Sequence, residues 1–65
     1  MSGKELKRLR VKMGITQVEL GKRLGVAPNS VARWEQGTRI ISIPMERFIR
    51  LISQVHIGEK ETDHG

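Results

Sequence analysis

Three polar side chains, Asn29, Arg33 and Gln36, recur at the spacing that places them on one face of a helix. Their chemistry matches the edges of base pairs. An arginine can donate two hydrogen bonds to guanine O6 and N7, and an asparagine or glutamine can exchange a pair with adenine. Polar residues on an outer helix face are by default solvated, so this pattern indicates base recognition only if the surrounding elements hold the face out toward a nucleic acid.

Residues 17–36 are predicted to form two short helices with a tight turn between them. Thr16 and Glu19 fit the capping-box pattern, in which the threonine hydroxyl accepts a hydrogen bond from the amide of residue 19, so a helix should begin after Thr16. Gly25 then ends this helix, and Val26 follows as an apolar plug. Because almost no residues separate the two helices, they must pack at a steep angle, which is the helix-turn-helix arrangement.

The helix after the turn is predicted to begin near Pro28, behind a poor cap, because Ala27 has no side-chain acceptor. Its inner face carries Val31, Trp34 and Glu35, opposite the polar face described above. In this turn geometry the second helix of the pair projects from the domain, and its first residues come nearest to base edges.

Two sets of DNA contacts are predicted from this placement. The base-reading residues are Asn29, Ala32 and Arg33, with the methyl group of Ala32 set against that of thymine. The phosphate contacts are Gln17, Ser30, Gln36 and Arg39. Gln17 begins a helix, where free amides and the positive end of the helix dipole favour an anion. Taken alone, that position is explained almost equally well by an ordinary polar residue of a first turn.

Two charged residues, Arg10 and Glu35, lie on otherwise apolar helix faces, one turn from Leu6 and from Val31 respectively. An unpaired charge in such a setting is costly. We therefore predict an ion pair that joins the first helix to the third. The alternative is that both side chains reach the surface separately.

Two further helices are predicted on either side of this pair. The first covers residues 3–13, with an apolar face at helical spacing and Gly14 as its C-terminal cap. The fourth begins with Ser42 or Ile43 as its cap and ends at Gly58. Its wide apolar stripe comprises Met45, Phe48, Ile49, Leu51, Ile52 and Val55. The loop before it should fold back over the core through Ile40, Ile41 and Ile43.

Gly21 lies on the buried stripe of the second helix, between Leu20 and Leu24. A glycine inside a helix costs about 1 kcal/mol relative to alanine. The bare backbone at this position therefore indicates a close approach of the next helix.

The 65-residue chain has room for one domain with a small core. Its net charge of +5 is uneven, because residues 1–58 hold eleven Lys and Arg against four Glu, whereas residues 59–65 hold three acids and one Lys. A basic domain favours a polyanionic partner, although charge also serves solubility. We expect a helix-turn-helix domain over residues 1–58 and a disordered acidic tail over residues 59–65.

Other classes of function have little support in the sequence. There is no cysteine, and neither a Ser, His and acid arrangement nor a glycine-rich phosphate loop is present, so we expect no catalytic residue, no metal site, no cofactor and no enzyme activity. No apolar run approaches the length that spans a membrane, and the charged residues 1–10 are unlike a signal peptide. The expected location is the cytoplasm.

Three groups of residues resemble the Cro and phage-repressor type helix-turn-helix family: Thr16-Gln17-x-Glu19-Leu20, Leu24-Gly25-Val26 and Val31-x-x-Trp34-Glu35-x-Gly37. The resemblance covers about residues 4–55. It implies an all-α, compact four- to five-helix bundle of the lambda-repressor-like type, without a cofactor, that binds double-stranded DNA as a dimer on a two-fold symmetric operator. It also implies that Gln17, Asn29, Arg33 and Gln36 face DNA and that Arg10 and Glu35 form an internal ion pair.

The sequence departs from that family at two places. Ala27 and Pro28 stand where a polar pair often begins the recognition helix, and residues 55–58 offer barely a turn where a fifth helix would be.

The function predicted from the sequence is that of a bacterial or phage transcriptional repressor associated with the nucleoid. The alternative is an antitoxin-type interaction module, which binds a partner toxin through its fourth helix and acidic tail and autoregulates through the same DNA site.

Overall fold

The computed structural model describes the backbone of residues 1–62 and the side chains of residues 1–55. Four helices follow one another: α1 (Gly3–Met13), α2 (Gln17–Leu24), α3 (Pro28–Gln36) and α4 (Ile43–Thr62). Residues 1–62 contain helices and loops but no strand, and they show no separate fifth helix. The predicted all-α class is confirmed.

The helix ends follow from local side-chain chemistry. Thr16 Oγ1 accepts a hydrogen bond from the amide of Glu19 at 3.1 Å, and α2 begins at the next residue after Thr16. Gly25 ends α2 with φ 74°, a left-handed conformation that costs glycine little. Ser42 is the cap of α4, because its Oγ accepts from the amide of Met45 at 3.3 Å. Ala27 gives α3 no side-chain cap, as its sequence indicates.

A small core lies between the helices. Among the side chains of residues 1–55, nine apolar ones are buried in it, namely Leu6, Met13, Ile15, Leu20, Leu24, Val31, Trp34, Ile41 and Ile49. These come from every helix and from two of the loops, so each element contributes its inner face to one cluster. Trp34 and Val31 anchor α3 in this core.

Only one of the three isoleucines expected to cover the core does so. Ile41 is buried, whereas Ile40 is 91% exposed and Ile43 is 67% exposed, so the prediction was wrong for those two. Neighbouring residues of an extended loop point in opposite directions, which turns Ile40 away when Ile41 faces inward. Ile43 is already the first residue of α4, and the helical period separates its direction from that of the buried Ile49.

The predicted end of α4 at Gly58 was also wrong, because the helix continues through Gly58 to Thr62. An interior glycine costs a helix only about 1 kcal/mol, and the Glu-Lys-Glu sequence that follows favours helix formation. The division into a domain over residues 1–58 and a disordered tail over residues 59–65 stays a prediction, since residues 63–65 lie outside the described part of the chain.

Two glycines bring backbones into direct contact. A Cβ on Gly21 would lie 2.8 Å from the carbonyl oxygen of Val26 and 3.4 Å from the nitrogen of Pro28, so the turn and the start of α3 pack against the bare backbone of α2. A Cβ on Gly3 would collide with the carbonyl oxygen of Trp34 and lie 2.7 Å from that of Glu35. The first contact agrees with the prediction from Gly21 on the buried stripe of α2, whereas no sequence pattern indicates the second. Together they fix α3 between α1 and α2.

An ionic contact joins α4 to α1. Arg50 Nη2 lies 2.9 Å from Glu5 Oε2 and 2.9 Å from Glu46 Oε2, so one guanidinium bridges a carboxylate on each helix. The Arg50 side chain is well exposed, so this bridge adds little stability and serves mainly to orient α4 across α1.

Candidate nucleic-acid interface

The outer face of α3 is polar and open to solvent. Asn29, Arg33 and Gln36 are all exposed, on the side of the helix opposite the buried Val31 and Trp34. The two residues on the flanks, Ser30 and Ala32, are half-buried. The short polar and cationic groups that match base edges are therefore held outward by an apolar anchor on the other side of the same helix.

The loop after α3 returns toward the beginning of that helix. Arg39 Nη1 donates a hydrogen bond to Ser30 Oγ at 3.3 Å, which joins two of the residues predicted to contact phosphate. Thr38 holds the loop in place, since its Oγ1 donates to the carbonyl oxygen of Arg33 at 3.2 Å. The loop therefore places the cation of Arg39 beside α3, in addition to that of Arg33. Arg39 lies nine residues along the chain from Ser30, and the local sequence pattern does not predict their contact.

Arg10 and Glu35 are in contact, as the charges on their helix faces predict. Arg10 Nε donates to Glu35 Oε2 at 2.6 Å and Arg10 Nη2 donates to Glu35 Oε1 at 3.1 Å, which is a bidentate pair. Arg10 Nη1 also donates to the carbonyl oxygen of Ile15 at 3.0 Å. The side chains are 14% and 5% exposed, so the pair is largely buried and ties α1 to α3 and to the loop before α2.

Gln17, predicted from the sequence to contact a phosphate, makes a contact inside the protein. Its Nε2 donates to Glu35 Oε1 at 3.1 Å, and the residue is half-buried at the first position of α2. The Glu35 carboxylate thus receives hydrogen bonds from α1 and α2 together. This bond is not evident from the sequence, because the two residues lie 18 positions apart and only the packed helices bring them together.

The environment of Glu35 favours its charged form. Burial raises the pKa of the Glu35 carboxyl, but the hydrogen bonds from Arg10 and Gln17, helped by the charges of Arg10 and Lys7, outweigh burial and leave the pKa below its ordinary value. The hydrogen bond to Glu35 likewise raises the pKa of Arg10, against the effect of burial. Both groups are therefore ionised at neutral pH.

The first turn of α2 has free donors next to Gln17. Thr16 Oγ1 takes the amide of Glu19, and the amide of Leu20 makes the first hydrogen bond of the helix, to the Thr16 carbonyl oxygen. The amides of Gln17 and Val18 come before that bond and have no acceptor within the helix. Such amides, together with the helix dipole, attract an anion.

These elements correspond to a known family. A family model described as helix-turn-helix matches residues 6–54, which is more than half of the chain and includes α2, the turn and α3. The chain belongs to the Cro and phage-repressor type helix-turn-helix family. Members of this family bind DNA, and the match supports a DNA-binding regulator in general. Comparisons with curated proteins and with solved structures gave no match.

The α4 of this helix-turn-helix protein has an apolar surface that the core does not use. Phe48, Leu51 and Val55 are 40%, 57% and 54% exposed, and their spacing places them along one side of the helix. We call these three residues the α4 apolar stripe. The wide apolar band predicted for this helix is thus divided between the core, where Ile49 is buried and Met45 and Ile52 pack against it, and solvent.

The described part of this helix-turn-helix protein gives no support for metal binding or a membrane span. Among the residues that the structure describes, there is no group of three or more His, Asp or Glu side chains able to hold a metal ion. Within the same part of the chain, no helix combines the length and hydropathy needed to cross a membrane.

Proposed function

We propose that this protein is a sequence-specific transcriptional repressor that inserts α3 into the major groove of double-stranded DNA. The observation that carries the proposal is the exposure of Asn29 and Arg33 on α3, opposite the buried Val31 and Trp34, in a chain of the helix-turn-helix family. An α-helix fits the major groove, where each base pair presents a distinct set of donors and acceptors.

Base reading is assigned to three residues and backbone contact to four. Arg33 donates two hydrogen bonds to a guanine, Asn29 pairs with an adenine, and Ala32 sets its methyl group against a thymine. The phosphate contacts are Gln17, Ser30, Gln36 and Arg39. The hydrogen bond between Arg39 and Ser30 supports the assignment of both residues to one position of the DNA backbone. The phosphate contacts fix the register of α3 relative to the base pairs.

The proposed active form is a homodimer that joins the α4 apolar stripe of one copy to that of another. Exposed apolar side chains that adjoin one another mark interaction surfaces. A two-fold dimer uses the same patch on both copies and places the two copies of α3 in major grooves about 34 Å apart. Repression then follows from occlusion of a promoter in the cytoplasm, at the nucleoid, without a cofactor.

The experiment that tests this function is selection of bound sequences from a random pool of duplex DNA at a stated salt concentration. The expected result is one enriched motif with two-fold symmetry and half-sites one helical turn apart. The variant that combines Asn29→Ala with Arg33→Ala should enrich no motif while keeping its helical circular dichroism signal. Equal enrichment of all sequences by the wild-type protein would contradict the proposal.

A second candidate is supported by the same exposed stripe. Phe48, Leu51 and Val55 also suit a groove on a different protein, such as the toxin of an antitoxin pair. Analytical ultracentrifugation of the purified chain separates the two candidates. A dimer at micromolar concentration supports the repressor. A monomer that forms a stoichiometric complex with the product of an adjacent reading frame supports the antitoxin.

A further inference from the structure

We infer that Glu35, held by Arg10, is a positioning residue for the DNA contact of Gln17. This inference rests on the proposed function, in which the side chain of Gln17 donates to a phosphate. The observation behind it is the bond from Gln17 Nε2 to Glu35 Oε1 at 3.1 Å, which links the first residue of α2 to the inner face of α3.

The carboxylate decides which end of the Gln17 amide faces inward. An ionised carboxylate only accepts hydrogen bonds, so the nitrogen of the amide, and not its oxygen, must face Glu35. The amide nitrogen carries two N–H groups, and the bond to Glu35 uses one of them. The second N–H remains as a donor, which is the group that a phosphate needs. With no acceptor at residue 35, the amide of this half-buried residue is free to rotate and loses that preset direction.

Arg10 makes this arrangement compatible with an anion nearby. A lone carboxylate beside the proposed phosphate would repel it, whereas the bidentate contacts of Arg10 at 2.6 and 3.1 Å balance the charge of Glu35. The same guanidinium donates to the carbonyl oxygen of Ile15 at 3.0 Å, two residues before Gln17. The ion pair therefore orients both the side chain of Gln17 and the backbone that leads into it.

The test is a set of DNA-binding titrations in two backgrounds. One is the wild-type protein, and the other replaces the ion pair with apolar residues through Arg10→Met and Glu35→Leu. Replacement of a whole buried pair by apolar residues of similar size generally preserves the fold. Gln17→Ala and, as the matched control, Arg33→Ala are introduced into each background. Binding is measured to the selected operator at one salt concentration.

Positioning predicts that the effect of Gln17→Ala depends on the background. In the wild-type background the variant should weaken binding about fivefold, as expected for one hydrogen bond. In the apolar background it should weaken binding less than about twofold, because the donor has already lost its direction. Arg33→Ala should weaken binding by a similar factor in both backgrounds, since α3 keeps its place.

Two results would overturn the inference. One is an equal loss from Gln17→Ala in both backgrounds, which would mean that Gln17 needs no help from Glu35. The other is a smaller loss from Arg33→Ala in the apolar background as well, which would mean that the ion pair only maintains the fold. If the wild-type protein shows no sequence preference at all, the proposed function fails and this inference fails with it.

A second variant keeps the test informative if the apolar pair does not fold. Glu35→Asp retains a carboxylate for Arg10 but withdraws it by one methylene group from Gln17. The side-chain amide signals of Gln17 in a ¹⁵N–¹H spectrum of the free protein should then shift, and the operator should bind about fivefold more weakly. Unchanged amide signals together with unchanged binding would overturn the inference.

Discussion

At the scale of single residues, Arg33 carries the sharpest expectation. It is exposed in the middle of α3, and a bidentate contact from arginine to guanine contributes about 1 to 3 kcal/mol to discrimination between bases. Arg33→Ala should weaken operator binding by that amount and relax the preference for guanine at one position of each half-site.

The measurement is a titration of wild-type and variant protein against the operator and its single-base substitutions. Arg8→Ala is the matched control, since it removes an exposed arginine from α1 and should leave base preference unchanged. If Arg33→Ala discriminated between operators as well as the wild-type protein does, the assignment of base readers would be wrong.

At the scale of elements, the ion pair of Arg10 and Glu35 makes the stability of the packing between α1 and α3 depend on pH. The pKa of Glu35 is lowered in the folded protein, so its contribution to stability is complete above the unfolded pKa of about 4.5 and disappears as pH falls through the folded value. At neutral pH, Glu35→Gln should lower the free energy of unfolding by roughly 3 kcal/mol. This is the lower end of the usual range because Arg10 keeps 14% of its side-chain surface exposed.

Urea unfolding of wild type and Glu35→Gln between pH 7 and pH 3 checks this expectation. The difference in unfolding free energy should be largest near neutral pH and should shrink in the acid range, where the wild-type carboxylate takes up a proton. A difference that stays constant across the whole range would show that Glu35 does not act through its charge.

The start of α3 offers a stabilising change. Ala27 has the extended backbone of an N-cap, with φ −68° and ψ 149°, yet gives the helix no side-chain acceptor. Ala27→Ser should therefore raise the free energy of unfolding by about 0.5 to 1 kcal/mol, seen as a higher melting temperature. Thr16→Ala is the converse control, because it removes a hydroxyl that caps α2 and should lower stability by about 1 kcal/mol. An unchanged melting temperature for Ala27→Ser would show that water already satisfies the amides at the start of α3.

At the scale of the whole molecule, the proposed dimer depends on the α4 apolar stripe. Leu51 is 57% exposed, so Leu51→Lys should leave the folded monomer intact while it places a charge at the centre of the proposed dimer contact. We expect sedimentation to report a monomer and the two-fold operator to lose more than about tenfold in affinity.

Gln54→Lys supplies the matched control for this charge. Gln54 is exposed on α4 but lies outside the stripe, so the same new charge should leave the dimer unchanged. If Leu51→Lys formed dimers as stable as those of the wild-type protein, the dimer contact would have to lie on another surface.

The features that the sequence predicts well are local ones. The N-cap of α2 at Thr16 and its C-cap at Gly25 depend on residues within one turn, so the local pattern of residue types predicts them. The pairing of Arg10 with Glu35 can also be predicted, because a charged residue on an apolar helix face is costly unless it is paired. The exposed face of α3 follows from helical periodicity alone.

The features that the sequence does not reveal depend on packing between distant segments. The bond from Gln17 to Glu35 and the contact of Gly3 with the end of α3 exist only once three helices have met. The direction of Ile40 depends on the path of a loop, which no period describes. Gly58 shows the opposite failure, since a local stop signal is overridden by the helix formers that follow it.

The division of α3 into a buried side and an open side has a practical consequence. Val31 and Trp34 hold the helix, whereas Asn29 and Arg33 take no part in the core. Under the proposed function, exchange of the amino acids at positions 29 and 33 should change which operator is bound and leave the core intact. Recognition and folding would then depend on opposite faces of the same nine-residue helix.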